Sequence, residues 1–274
     1  MSIILINKNT CKKCGICQQA CPVSLIEKSV EDSFPIIAQT KEAFCINCGH
    51  CEAICPEASL THQLAENAMK PMVEGHEVIP ARNLGNYFRN RRSIRNYQSK
   101  KVDKKIFEEV MDVVRYAPTG TNRQLNQWVI VSDDKVIEKL IEGTILWMQM
   151  VLQMNPTMGN QYNFPAIISS YQNGVDRICR NAPHIVIAYG PKAHAIGALD
   201  TVIATSHLEL LLPSYGLGAC WAGFLMLALQ NSSEMRVLVG LDESIKVHSA
   251  LMVGYPKFGY FMAPPRKGAD VKWM

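Results

Sequence analysis

Eight of the ten cysteines stand in two copies of one pattern, CxxCxxCxxxCP: Cys11, Cys14, Cys17 and Cys21 before Pro22, and, 34 residues on, Cys45, Cys48, Cys51 and Cys55 before Pro56. Four thiolates gathered in one place repel one another unless a soft metal neutralises them. Two-residue spacers let three sulfurs of a tight loop reach three corners of an iron–sulfur cubane. The fourth, beside a proline, starts a helix that carries its sulfur toward the other copy. Structural zinc commonly uses two CxxC pairs, and a disulfide framework has no need of Cys-Pro ends; neither accounts for two complete copies. Gly15 and Gly49 lie inside the loops, where a chain curling around a cluster needs freedom from Cβ sterics and N–H groups aimed at sulfur.

Over about residues 1–60 this run resembles the bacterial two-cluster ferredoxins. The resemblance implies two 4Fe–4S clusters with crossed ligands: Cys11, Cys14, Cys17 with Cys55 on one, and Cys45, Cys48, Cys51 with Cys21 on the other. His50, inside the second loop, is surplus to a complete cysteine set and is expected to face solvent. Short strands at residues 3–6 and 34–37 precede the two loops, so the duplication extends beyond the cysteines.

A chain of 274 residues with 48% apolar content can bury a sizeable core as one large or two modest domains. Cys179 and Cys220 are singletons, and the apolar run Ile3–Ile6 is too short for a signal peptide; a reducing cytoplasm is the expected home. The apolar stretch from Ala195 to Leu229 is broken by Asp200, His207, Glu209 and Pro213, which excludes a membrane span. The net charge of +4 divides into about −3 over residues 1–80 and +7 over the rest. Dispersed basic residues do not make a nucleic-acid surface, and the cluster at Arg89–Arg95 suits a single anionic cofactor.

Two domains joined by a linker are expected: 1–65 with the clusters, a linker over 66–82 containing Pro71, Gly75 and Pro80, and 83–274. Asp103 caps a predicted helix with Ile106, Val110 and Val113 on one face. Trp128–Val131 reads as a strand, and Asp133–Met150 as a helix with Ile137, Leu140, Ile141 and Ile145 on one side. Asn155–Asn163 has the composition of a mobile loop. His184–Tyr189 is a buried strand, and Ala198–Leu212 a helix with a core stripe of Leu199, Val202, Ile203 and Leu210. Asn231 with Glu234 reads as a capping box, and Ser249–Val253 as a last strand. Helices interleaved with few short strands give an α+β fold, one sheet sandwiched by helices behind the ferredoxin-like domain.

Three separated stretches over about residues 83–274 resemble the flavin-dependent nitroreductases: the run Arg91, Arg92, Ser93, Ile94, Arg95; the loop Pro118, Thr119, Gly120, Thr121, Asn122, Arg123, Gln124; and Gly216–Gly223 with a Gly254-Tyr255-Pro256 ending followed by Arg266 and Lys267. The resemblance implies a nitroreductase-like fold holding FMN at the interface of a homodimer. Guanidinium groups bind phosphate with paired, charge-assisted hydrogen bonds, so Arg91, Arg92, Ser93 and Arg95, with Arg266 and Lys267, are the candidate phosphate ligands. Pro118, Thr119, Gly120 and Asn122 are the candidates along the ring, and Trp221, Ala222 and Gly223 near its reactive face, where the backbone donates and the Trp221 ring packs. Cys220 is expected to be inert. Tyr162, Phe164 and Tyr171 are candidate stacking partners for an aromatic substrate.

No catalytic side chain is singled out, because the cofactors carry the electron chemistry. The absence of GxGxxG after a strand argues against a separate dinucleotide domain. The expected function is transfer of electrons from a low-potential donor such as reduced ferredoxin, through two clusters, to FMN and on to a small nitroaromatic- or quinone-like acceptor. The alternative is an electron-transfer or redox-sensing module that serves a partner protein without a small substrate of its own.

Overall fold

In this computed structural model the described residues are 2–63 and 78–274. They gather into two compact units, Met1–Val78 with Thr121–Arg123, and Ile79–Gly120 with Gln124–Met274. Most of the expected linker, 66–77, lies outside the described residues. Its last two residues open a helix, α3 (Ala81–Asn90), behind Pro80, because proline at a helix entrance presets the backbone without losing a needed N–H.

In the first unit each copy of the cysteine pattern reads strand, loop, helix, strand: β1 (Ile4–Ile6), α1 (Ile16–Ala20) and β2 (Ile26–Lys28), then β3 (Pro35–Ile37), α2 (His50–Ala53) and β4 (Leu60–His62). Each strand pairs with one from the other copy, β1 with β4 and β2 with β3, both antiparallel. Both helices start directly after a glycine in the left-handed region, Gly15 at φ 76° and Gly49 at φ 69°, where a Cβ is strained. The core is small: Ile3, Ile4, Leu25, Ile26, Ile37 and Leu60 with Cys51, and Cys17, Cys21 and Cys45 packed against it. Domains with so little apolar burial are ordinarily stapled by metal or disulfides.

The second unit is built on a four-stranded antiparallel sheet in the order β5 (Gln127–Val131), β6 (His184–Pro191), β8 (Ile245–Gly254), β7 (Gly218–Trp221). The period of two in the central strands feeds two cores. Ile185, Ile187, Ala250 and Met252 join the layer of α5 (Asp134–Met154), α7 (Phe164–Gln172) and α9 (Gly223–Asn231). Val186, Leu251 and Val253 join the layer of α4 (Lys104–Val114) and α8 (Gly197–Leu211). This is the expected sandwich.

Five points differ from expectation. The helices α1 and α2 end before the fourth cysteine of each copy, with Cys21 as the C-cap of α1, instead of starting there. The buried face of α4 is Phe107, Val110 and Val114, while Val113 is 51% exposed. Residues 155–163 are not a loop but carry α6 (Pro156–Gln161), capped by Asn155, whose side chain accepts from the Met158 N–H. In α8 half of the expected stripe faces outward, with Leu199 at 61% and Val202 at 40% exposure, while Ile203 packs against the core, and the buried face carries Asp200, Thr201, Thr205 and Glu209 beside Ala204 and Leu208. A polar stripe can be buried because its groups find partners, as Thr205 Oγ1 does at 2.6 Å from Ser249 Oγ on β8. The cap of α10 (Ser233–Leu238) is Ser232 rather than Asn231. Among the described residues, no helix is long and apolar enough to cross a membrane.

Candidate cofactor sites

In the first unit, Cys11, Cys14 and Cys17 line one cavity together with Cys55 and Pro56 from the second copy, so the crossed set is gathered. The two Cys-Pro cysteines occupy equivalent settings: Cys21 Sγ accepts from the Leu25 N–H at 3.3 Å and Cys55 Sγ from the Ser59 N–H at 3.2 Å. Burial pushes the Cys51 thiol up to about 11, and the neighbouring Cys48 and Cys45 add to the rise. Cys17 is raised the same way, by burial first and then by Cys14 and Cys11. Thiols so placed resist ionisation alone, and a bound cation reverses that preference. Among the described residues no three His, Cys, Asp or Glu side chains close on a single-ion position. Four cysteines at this spacing suit the corners of a polynuclear cluster. His50 is exposed, as expected. His62, which no motif marked, is buried with Nε2 3.5 Å from Cys45 Sγ.

In the second unit the arginine run leaves α3 as an extended segment laid along β7. The Ile94 N–H donates to Ala219 O at 2.9 Å, and Tyr97 bridges to Pro256. The approach is close enough that a Cβ on Gly218 would fall 2.4 Å from Ile94 Cγ1, which explains the glycine. Arg91 Nη1 donates to Glu209 Oε1 at 2.7 Å and Trp221 Nε1 to Glu209 Oε2 at 3.1 Å. One buried carboxylate thus joins residues from two of the three stretches; the sequence reading missed it. A cavity of about 330 Å³ opens beside Arg91, Arg92, Glu209 and Gly218. Arg92 donates to the carbonyls of Arg89 and Arg91 and keeps a buried Nε without a partner. Ser93 is half-buried, and Arg95 is exposed with Nη1 3.5 Å from Ser93 O. Arg266 and Lys267 lie in the exposed tail outside every element; the tail returns to the run at Met262, whose carbonyl accepts from Arg92 Nη2 at 3.4 Å. Free guanidinium edges and a buried unpartnered Nε suit an anion's oxygens.

Pro118 and Thr119 precede a 3₁₀ turn over Gly120–Asn122. Thr119 Oγ1 accepts from the Gln124 N–H, and the Gly120 N–H donates to Asp200. Thr121, Asn122 and Gln124 all lie in the left-handed region, at φ 50°, 54° and 50°. Asparagine tolerates that conformation, whereas β-branched threonine is strained there. The Ala222 N–H is already taken by Ala250 O, so backbone donation at that corner falls to Gly223 and the head of α9, whose first N–H groups have no partner within the helix. Cys220 is buried, and its thiol is pushed up chiefly by that burial. Phe164 is fully buried, with ring centroids 5.6 Å from Trp147 and 5.5 Å from Phe224; it is core and not a stacking surface, while Tyr162 is 47% exposed.

Residues 88–255 match the model of the nitroreductase family, and residues 3–72 match that of the 4Fe-4S dicluster domain. An Archaeoglobus fulgidus protein named for NADH dehydrogenase/NAD(P)H nitroreductase activity is 24% identical over 171 residues, 61% of this chain and 82% of that protein. A crystal structure of a Bacteroides fragilis nitroreductase with bound FMN superposes with a TM-score of 0.56 at 19% identity, covering 70% of this chain and 97% of that one. One from Desulfitobacterium hafniense, also with bound FMN, gives 0.56 at 16%, covering 69% and 96%.

Proposed function

Because the chain belongs to the nitroreductase family, we propose that it is an FMN-dependent oxidoreductase that draws electrons from a low-potential donor through two 4Fe–4S clusters and gives them to a small organic acceptor. The observation that carries this reading is the fusion of a nitroreductase region, residues 88–255, to a dicluster region, residues 3–72, in which four thiols of the crossed set line one cavity. Clusters pass one electron at a time, and a flavin, once bound, collects two and releases them as hydride. In this chain Ser93, Arg95 and the free edges of Arg91 and Arg92 hold the phosphate, with Arg266 and Lys267 reaching it from the tail. Pro118–Gly120 and Asn122 line the ring, and the head of α9 donates toward its reactive face. The donor is a small carrier such as reduced ferredoxin, and the acceptor is nitroaromatic- or quinone-like.

A second copy of the chain completes the site. What supports a homodimer is the outward pair Leu199 and Val202, 61% and 40% exposed, on a helix whose other face is buried, with Ile196 at its N-cap 42% exposed beside them; apolar residues grouped in this way mark an interface.

Reducing the purified holoprotein with dithionite without oxygen, then mixing it with nitroaromatic or quinone acceptors in a stopped-flow instrument, tests the proposal. Flavin reoxidation with repeated turnover is expected. Reoxidation only after a partner protein is added would replace the enzyme with an electron-carrying module.

A further inference from the structure

On the reading of Pro118–Asn122 as the flavin loop, we propose that Asp200 and His194 form a positioning pair that holds this loop ready for the cofactor.

A carboxylate in the first turn of a helix ordinarily faces the positive helix end. Asp200, in the first turn of α8, spends both oxygens elsewhere. Oδ1 accepts from the Gly120 N–H at 2.9 Å, and Oδ2 lies 2.9 Å from His194 Nε2 in the segment before the helix. The two side chains are 4% and 7% exposed. A carboxylate so enclosed persists only where donors meet it, and here one donor belongs to the flavin loop.

The far end of the loop is fastened to the same turn. Asn126 Nδ2 donates to Asp200 O at 3.3 Å, and Thr201 Oγ1 donates to Asn126 Oδ1 at 3.0 Å. Contact is tight: a Cβ on Gly120 would fall 1.8 Å from Ile196 Cδ1. Between the two anchors lie the left-handed Thr121, Asn122 and Gln124, a conformation that persists only when its surroundings over-determine it. The pair touches no cofactor. It acts through the Gly120 amide, fixing one loop shape before FMN arrives, so that binding does not have to order the loop.

The test uses the full chain with clusters in place, stripped of FMN and titrated with FMN by flavin fluorescence, alongside hydrogen exchange of the peptide containing Gly120. Asp200→Ala is expected to raise the Kd for FMN about tenfold or more, the factor that one hydrogen bond to a charged acceptor represents. Exchange at Gly120 should quicken while the cluster absorbance is unchanged. Asp200→Asn, which keeps an acceptor for the Gly120 amide, should recover most of the affinity. His194→Gln covers the case in which Asp200→Ala fails to fold, and is expected to weaken FMN binding about threefold. A folded Asp200→Ala chain, or failing that His194→Gln, with a Kd within about twofold of the wild type and unaltered exchange at Gly120 overturns the pair. A wild-type chain that takes up no FMN overturns the flavin reading and the pair together, so the two failures are distinguishable.

Discussion

His184, at the head of β6, is buried beside Phe107 with both ring nitrogens engaged. The Val102 N–H donates to Nε2 at 2.8 Å, so Nδ1 carries the proton and faces Ser132 Oγ at 2.7 Å. Burial first, and then the Lys101 charge, hold its pKa down at about 4. In the unfolded chain the value returns to about 6.5, so between the two the unfolded state binds more protons and stability rises as pH rises. The stabilisation is complete above the unfolded value and lost as pH falls through the folded one; about 2 kcal/mol disappears between about pH 7 and about pH 5. Urea midpoints at the two pH values measure it, and in His184→Gln this part of the pH dependence should vanish. At this scale the cluster ligands were legible, because eight cysteines at fixed spacing admit little else. Glu209, Asp200 and His194 were not. Arg91 lies 118 positions from Glu209 and Gly120 lies 80 from Asp200, and in the sequence both acids look like interruptions of an apolar helix.

The helices α4, α6 and α8 divide what local pattern can decide from what docking decides. Ile106, Val110, Val113 and Phe107, Val110, Val114 both satisfy helical spacing, and only contact with β6 and α8 selects the second set. Phe107→Ala is therefore expected to cost about 3–5 kcal/mol, whereas Val113→Ala should stay within about 0.5 kcal/mol of the parent; denaturant unfolding of the two variants checks the assignment. The amides and glycine of residues 155–163 read as a loop, yet Asn155 as cap and Pro156 at the first helical position are start signals that could have been found. Gly159 serves packing there, since a Cβ would lie 2.4 Å from Leu152 Cδ2 of α5. Periodicity alone assigns the stripe of α8 to the core, because an apolar pattern does not say which surface it meets. A second copy of the chain would give Leu199 and Val202 that partner, so replacing both with lysine should convert a dimer to a monomer in sedimentation or light scattering, with the α4–α8 core intact.

In the molecule as a whole, the division of charge into an acidic leading part and a basic trailing part matches a chain of two units with different tasks. The duplicated strand-and-loop order of the leading part and the helix–sheet–helix layers followed from patterns spanning tens of residues, the range over which periodicity and motif order carry information, whereas the helices ahead of Cys21 and Cys55 and the closing strands β2 and β4 carry no such signal. The source and destination of the electrons are set by surfaces and potentials, which no spacing encodes. The proposed electron route to FMN runs by way of the clusters. Its most direct test is anaerobic stopped-flow bleaching of the flavin on mixing the FMN-loaded chain with reduced ferredoxin, comparing the wild type with Cys14→Ser and Cys48→Ser chains that retain FMN but have each lost a cluster. Rapid bleaching in the wild type, slowed by orders of magnitude in both variants, is the predicted result; equal rates in all three, or a wild-type flavin that stays oxidised while its clusters are reduced, would contradict it.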